Sequence, residues 1–560
     1  MKYICWSVAV LVALVQIGGR YMFIESDGIS YLDLGLTYFR GDWGNALNAY
    51  WSPLFPLLLG AVMTVVKPSP YWEFTVVHVT NFAVFIGALF SFDFLLRQLR
   101  LYREDRPDYN PSQETGALPE WAWTIIGYTL FLWCGINTIG VTHSSPDTMV
   151  TAIIYLAAAL TLRMRTRAAT RRTAVALGAV LGLGYLAKAA LLPVGCVFLL
   201  SCLLPLPPRR PPLARALLAA GVFLLICAPL VAALSLHKGR LTFGDSGRLN
   251  YSWSVNKNTR WLHWQGEVAG SGTPVHPTRK VQDSPVIYEF AEPVGGTYPV
   301  WFDPSYWYEG VRVYFDLRQQ LAVFVPNLEK VLAMFYYLPS SKLITLLCLI
   351  LFTASGARFR TGEVLRHWPV ILPAVFGPLM YALVVVVSRY IGPFYVVFIL
   401  ALLAGVRLPE GARVRLALNY AVVLLVLCSL VAVAWRPARY AYVTAHKLAH
   451  GREPHDQWRI AEVLRKNGVR PGDGVGAVGY EFIHAWARVG RNKVIAEMPH
   501  ELFLLTRRAN EKSLQTFERL GVKAVVAAPE LFLSNAPPEG WQQVEELNVY
   551  VHFPGQPGQP

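Results

Sequence analysis

Charge is what this sequence is short of. Only 16% of its 560 residues are Asp, Glu, Lys or Arg, against about 25% in soluble globular chains. That is too little to solvate the surface of a soluble protein of this length, and a purely soluble enzyme is excluded. Cysteine is scarce as well. Cys5, Cys134, Cys196, Cys202, Cys227, Cys348 and Cys428 each fall inside an apolar run with no paired spacing, which excludes a disulfide framework and a thiolate metal site. The histidines His237, His263, His276, His455, His484 and His500 lack zinc-ligand spacing. Apolar residues, by contrast, make up 54% of the chain, and the mean hydropathy is +0.36. Their long runs exclude disorder and leave a polytopic membrane protein.

A spanning helix needs about 20 mostly apolar residues. Such stretches run near 4–20, 74–96, 121–141, 148–162, 174–188, 189–204, 215–236, 338–354, 368–387, 391–406 and 415–435. The run Pro53–Val66 is short and bracketed by Pro53, Pro56, Pro68 and Pro70, which reads as interfacial or re-entrant. Basic residues outnumber acidic ones by 51 to 36, a net +15, and their placement decides the topology. With Pro53–Val66 not counted as a span and the N-terminus inside, the cytoplasmic loops collect five clusters. These are Arg97, Arg100, Arg103 and Arg106; Arg163, Arg165, Arg167, Arg171 and Arg172; Arg209, Arg210 and Arg215; Arg358, Arg360 and Arg366; and Arg407, Arg413 and Arg415. The positive-inside bias then predicts eleven spans with the C-terminus outside. The basic excess is a record of orientation and gives no support for a nucleic-acid partner. No small-x-small cleavage site precedes Gly18-Gly19-Arg20, so the first span reads as a signal anchor.

Three outward regions follow within two expected domains, a membrane domain 1–435 and an extracytoplasmic one. The first loop, 20–73, carries Glu25, Asp27, Asp33 and Asp42. A long loop, 237–337, is rich in aromatics: Tyr251, Trp253, Trp261, Trp264, Trp301, Tyr306, Trp307 and Tyr308. The C-terminal part, 436–560, alternates helix (Trp458–Asn467), strand (Val475–Val478), helix (Tyr480–Val489) and strand (Ala524–Ala527), the pattern of a small α/β domain. Within it Gly474-x-Gly476-x-x-Gly479 matches a dinucleotide fingerprint in letters only. Its glycines fall on the strand rather than after it, with no acidic partner at the expected spacing.

Four charged residues stand out at the outer rim. Asp27 follows the first span, in Glu25-Ser-Asp-Gly-Ile-Ser-Tyr31. Asp147 follows His143-Ser-Ser-Pro146 between the third and fourth spans. Each competes with a bland role, since Ser26 or Asp27 is placed to cap an interfacial helix and Asp147 to cap the fourth span. Ionisable residues at a membrane rim are nonetheless functional candidates, Asp27 as a general base. Lys188, between spans five and six, and Arg389, in Ser388-Arg-Tyr-Ile-Gly-Pro393, face outward against the charge bias. A snorkelling lysine explains the first equally well, but together they suit a phosphate.

These residues, in this order, resemble the GT-C membrane glycosyltransferases, nearest to the branch holding protein O-mannosyltransferases and lipid A aminoarabinose transferases. The resemblance rests on Asp27-Gly-Ile-Ser-Tyr31 followed by Tyr50-Trp-Ser-Pro-Leu-Phe-Pro56, on Ser145-Pro-Asp147, on Gly182-Leu-Gly-Tyr-Leu-Ala-Lys188 and on Ser388-Arg-Tyr390 with Pro393. It implies a GT-C-like polytopic α-helical protein of about eleven transmembrane helices, carrying a small extracytoplasmic α/β domain in a bacterial inner membrane. It implies a polyprenyl-phosphate monosaccharide donor, transfer with inversion, and a lipid, glycan or protein acceptor on the outer face. Asp27 takes the role of base, with Asp147 a second catalytic carboxylate. Lys188 and Arg389 contact the donor phosphate, and Glu25, Tyr31, His143 and Tyr390 are further substrate-binding candidates. No cofactor is fixed by the sequence, and a divalent cation is the open candidate. The alternative from another class is a transporter or flippase of a lipid-linked sugar. The absence of an internal repeat and the gathering of charge at the rim weigh against it. A scaffold role leaves Lys188 and Arg389 unexplained.

Overall fold

The computed structural model describes residues 1–105, 116–204, 213–258, 263–290, 292–479, 484–499, 507–527 and 540–554. Arg106, Arg209, Arg210, Trp261 and His500 lie outside them, as does the start of the helix expected at 480–489. Among the described residues, seven helices are long and apolar enough to cross a membrane: Lys2–Arg20, Pro70–Glu104, Glu120–Ile139, Asp147–Met164, Leu213–Lys238, Pro339–Arg358 and Ala412–Ala449. The other expected spans, 174–188, 189–204, 368–387 and 391–406, coincide with the shorter helices Arg171–Ala187, Leu191–Leu203, Trp368–Ala382 and Ser388–Leu403. The last helix runs unbroken past residue 435, so the membrane body and the C-terminal part share a rod.

The run after Pro53 is a 13-residue helix, Leu54–Val66. It packs on the helix Ser26–Phe39 through two glycines. A Cβ on Gly35 would stand 2.5 Å from the Pro56 carbonyl, and one on Gly60 would strike the Gly35 carbonyl. Tyr31, Leu34 and Tyr38 form the buried stripe of Ser26–Phe39.

Outside the helical body sits one mixed sheet, seven-stranded among the described residues: β1 (Arg279–Asp283), β2 (Val286–Glu289), β3 (Gly474–Val478), β4 (Lys493–Met498), β5 (Val525–Ala527), β6 (Gln542–Gln543) and β7 (Tyr550–His552). The order is β1-β2-β4-β3-β5-β7-β6. β3 runs parallel to both β4 and β5, while the outer pairs are antiparallel. The helices Asp456–Lys466 and Ala485–Gly490 belong to the expected alternation. The β1–β2 hairpin does not: it comes from the long loop and pairs Tyr288 with Glu497 of β4.

Many aromatics of that loop are buried. Trp253, Trp264, Trp301, Trp307 and Tyr308 are buried and share an apolar cluster with Tyr31, Trp51 and Phe55 of the first loop and with Val475, Ala477 and Trp486 of the C-terminal part. They form a core that joins three segments distant in sequence.

Candidate active site

The helix Ser26–Phe39 begins at an extended Glu25 with no side-chain cap, and Asp27 sits in its first turn. The capping roles considered for the two aspartates are not taken. Asp27 Oδ1 accepts a hydrogen bond from Trp301 Nε1 (3.1 Å), and its Oδ2 lies 3.4 Å from Arg389 Nη2. Asp147 opens its helix behind Pro146 with both oxygens engaged elsewhere. Oδ1 accepts from Lys188 Nζ at 2.7 Å, and Oδ2 accepts from Ser145 Oγ at 2.9 Å. Oδ2 also lies 2.9 Å from Arg389 Nε.

Arg389 is the hub. Besides the two aspartates it reaches the Tyr390 hydroxyl (3.3 Å) and hydrogen-bonds His143 Nε2. A guanidinium only donates, so His143 Nε2 is the acceptor and the ring proton sits on Nδ1, 3.5 Å from Glu25 Oε1. Glu25 Oε2 accepts the Ser144 amide (3.0 Å). Lys188 closes the other end, its ammonium 3.5 Å above the Tyr390 ring, a cation–π contact. Tyr31 stands behind this row, its ring against Trp51 (4.9 Å) and Phe55 (5.2 Å).

All four principal candidates thus form one chain of contacts, Asp27–Arg389–Asp147–Lys188. Glu25, His143 and Tyr390 lie directly on it, with Tyr31 packed behind. Exposure separates the two carboxylates: the Asp27 side chain is 25% accessible and that of Asp147 only 2%. Asp147 is locked between two cations, whereas Asp27 keeps an accessible edge. These acids are committed to cations, and no group of three His, Cys, Asp or Glu among the described residues is placed to hold a metal. The residues do not fit a divalent cation.

Sequence reasoning missed Trp301 as a partner of Asp27 and missed the buried cluster that seats the helix carrying it. Arg488 donates to Asp33 Oδ1 (2.5 Å) and to both oxygens of Glu73 (2.9 and 2.6 Å). Asp33 also accepts the Thr297 amide (2.7 Å). Burial opposes the Arg488 charge, but the two carboxylates outweigh it and raise the pKa. No spacing signal announces any of these pairs.

A helical body, a pair of packed helices after the first apolar helix and a mixed sheet outside that body make up the fold. Two solved structures of ArnT from Cupriavidus metallidurans share it across the whole chain. The form bound to undecaprenyl phosphate is 13% identical, with a TM-score of 0.55, covering 100% of this chain and 99% of that one. The apo form gives 14% identity over the same shares, again with a TM-score of 0.55. The apo oligosaccharyltransferase of Archaeoglobus fulgidus is similar over 95% of this chain and 70% of its own, at 12% identity and a TM-score of 0.47. No protein-family model matches the chain, and no curated protein matches it in sequence.

Proposed function

We propose that this protein is an inverting glycosyltransferase that moves a monosaccharide from a polyprenyl-phosphate donor to an acceptor on the outer face of the membrane. The four shorter apolar helices complete eleven crossings, with the N-terminus in the cytoplasm and the C-terminal part outside. The observation that carries the reading is the contact chain Asp27–Arg389–Asp147–Lys188. It sets one accessible carboxylate beside two cations whose positions a buried carboxylate fixes. The GT-C fold, found also in a protein bound to undecaprenyl phosphate, supports the donor class.

In this reading Asp27 accepts the proton of the acceptor hydroxyl or amine as that atom attacks the anomeric carbon. The bond from the anomeric carbon to the phosphate oxygen breaks through an oxocarbenium-like state, and its electron pair stays on the phosphate. Lys188 and Arg389 meet that charge with N–H donors held in advance, so no reorganisation is needed as it develops. Asp147 serves as the positioning carboxylate between them, while Glu25 orients His143 against Arg389.

The test is purified Asp27→Asn protein with a synthetic polyprenyl-phosphate sugar. Loss of a general base costs about 10²–10⁴ in rate, and a fall of that size with unchanged folding is expected. Unchanged donor cleavage removes Asp27 as base. A flippase would move the lipid between leaflets with the sugar–phosphate bond intact, which mass spectrometry of the recovered lipid detects.

A further inference from the structure

The helix Ala412–Ala449 has 38 residues. At 1.5 Å per residue that is about 57 Å, of which a hydrocarbon core takes only about 30 Å. Its uncharged stretch has that shorter length: Leu416–Trp435 is 20 residues without Asp, Glu, Lys or Arg, with Arg415 before it and Arg436 after it. Under the crossing proposed above, the turns from Arg436 onward stand at the level of the lipid headgroups. Trp435, 67% accessible, marks the boundary, where an amphipathic indole is favoured.

This end is cationic throughout. Arg436, Arg439, Lys447 and Arg452 follow one another, and no Asp or Glu occurs between Glu410 and Glu453. Arg436, Arg439, Val443 and Lys447 recur at three- and four-residue steps and share one helix face. A second helix end adds to it. Lys2–Arg20 carries no acid either, and its last turn packs alongside. Thr444 Oγ1 donates to the Gly19 carbonyl at 2.8 Å, and a Cβ on Gly19 would stand 2.5 Å from the Ala441 amide nitrogen. That approach sets the Arg20 guanidinium 5.0 Å from the centre of the Tyr440 ring. Lys447 is answered by Asp456 at 3.6 Å. Arg436 and Arg439 are exposed, and among the described residues neither makes a hydrogen bond or an ion pair. Water solvates an isolated guanidinium. It does not account for a run of cations, free of acids, on the side of the membrane where the charge bias disfavours them.

We infer that the paired ends of Lys2–Arg20 and Ala412–Ala449 form a binding surface for the anionic phosphodiester headgroups of membrane phospholipids. The inference goes beyond sugar transfer and needs only that these two helices cross the membrane. A guanidinium presents forked N–H donors that match the oxygens of a phosphodiester. The exposed rings of Trp435, Tyr440 and Tyr442 suit the boundary between tails and headgroups. A lipid is favoured over a soluble acidic partner because the cations begin at the first residue past the hydrocarbon length. The surface is distinct from the proposed donor-phosphate site, whose cations Lys188 and Arg389 meet at Asp147.

Crosslinking in place tests it. Full-length protein with Tyr442→p-benzoylphenylalanine, a position 69% accessible, is reconstituted in nanodiscs of equal parts phosphatidylglycerol and phosphatidylcholine with the same acyl chains. After irradiation, mass spectrometry identifies the lipid on the modified peptide. Anionic adducts are expected to exceed zwitterionic ones at least about threefold, since each Lys or Arg near the surface adds attraction for an anionic lipid. Arg436→Gln combined with Arg439→Gln should return the ratio to that of the bilayer. Both positions are exposed, so the fold is retained, and donor cleavage reports on the transferase reading separately. Three results overturn the inference: no lipid adduct at Tyr442, adducts in the bilayer's own ratio, or an enrichment that the double variant leaves unchanged.

Discussion

Asp27 and Asp147 are the same residue type on one row of contacts through Arg389, and their neighbours give them different surroundings. Asp147 is held by two cations and carries no accessible edge, while Asp27 shares Arg389 at longer range and gains an indole donor. Replacing Trp301 by Phe keeps the ring and removes that donor. A hydrogen bond to a charged group is worth roughly 1.5–3 kcal/mol, so a tenfold or larger fall in donor turnover is expected with little change in thermal stability. Turnover equal to wild type would show that the indole N–H does not orient the carboxylate. His455 makes a prediction about pH. It is buried beside the Tyr71 and Phe74 rings, and its Nδ1 accepts the Trp458 amide at the start of Asp456–Lys466. Burial lowers its pKa from 6.5 to about 4. The unfolded chain therefore takes the proton first: the stabilisation is whole above pH 6.5 and is lost as pH falls towards 4. A shift of that size corresponds to a change on the order of 3 kcal/mol. Melting curves of wild type and His455→Gln across this range should converge at low pH, and parallel curves would refute the assignment.

At the scale of elements, what was legible in the sequence depended on how local the signal was. Apolar runs coincide with a helix at every expected span, and the four charged residues Asp27, Asp147, Lys188 and Arg389 meet in one row of contacts. The apolar runs are read within a window of about twenty residues. The helix Leu317–Ala333 escaped because Gln319, Gln320, Asn327, Glu329, Lys330 and Pro326 interrupt its apolar face. Yet Gln320 and Asn327 are the residues it uses, donating to the carbonyls of Leu383, Ala382 and Val384 where the helix Trp368–Ala382 ends. The β1–β2 hairpin escaped for a different reason, since its partner strand β4 lies far along the chain and no local pattern names it. The glycine contact between Ser26–Phe39 and Leu54–Val66 allows a test at this scale. Gly35→Ala puts a methyl 2.5 Å from a backbone carbonyl, and overpacking of this kind costs about 1–3 kcal/mol. A lowered melting temperature with reduced donor turnover is expected, because the displaced helix carries Asp27. A variant as stable and active as wild type would mean that the two helices separate freely.

For the whole molecule, the decisive contacts join regions that the sequence presents as separate. Arg488 near the C-terminus satisfies Asp33 on the helix Ser26–Phe39 and Glu73 at the head of the second long helix, all three buried. Removing one partner from a buried ionic cluster costs about 3–5 kcal/mol, since it strands the opposite charge. Arg488→Ala should therefore lower the melting temperature of the entire protein in a single transition. Melting of the C-terminal part alone, with the membrane helices unaffected, would refute the coupling. The hairpin carries the same interdependence into biosynthesis. β2 lies between β1 and β4, and β4 leaves the ribosome only after the last long helix, so the inner edge of β2 waits unpaired while the remaining helices are made. An open edge of this kind is a template for pairing with other chains. A ribosome stalled after residue 435 would thus release not a smaller working unit but a membrane body with an exposed strand and its aromatic core uncovered, a natural target for quality-control proteolysis.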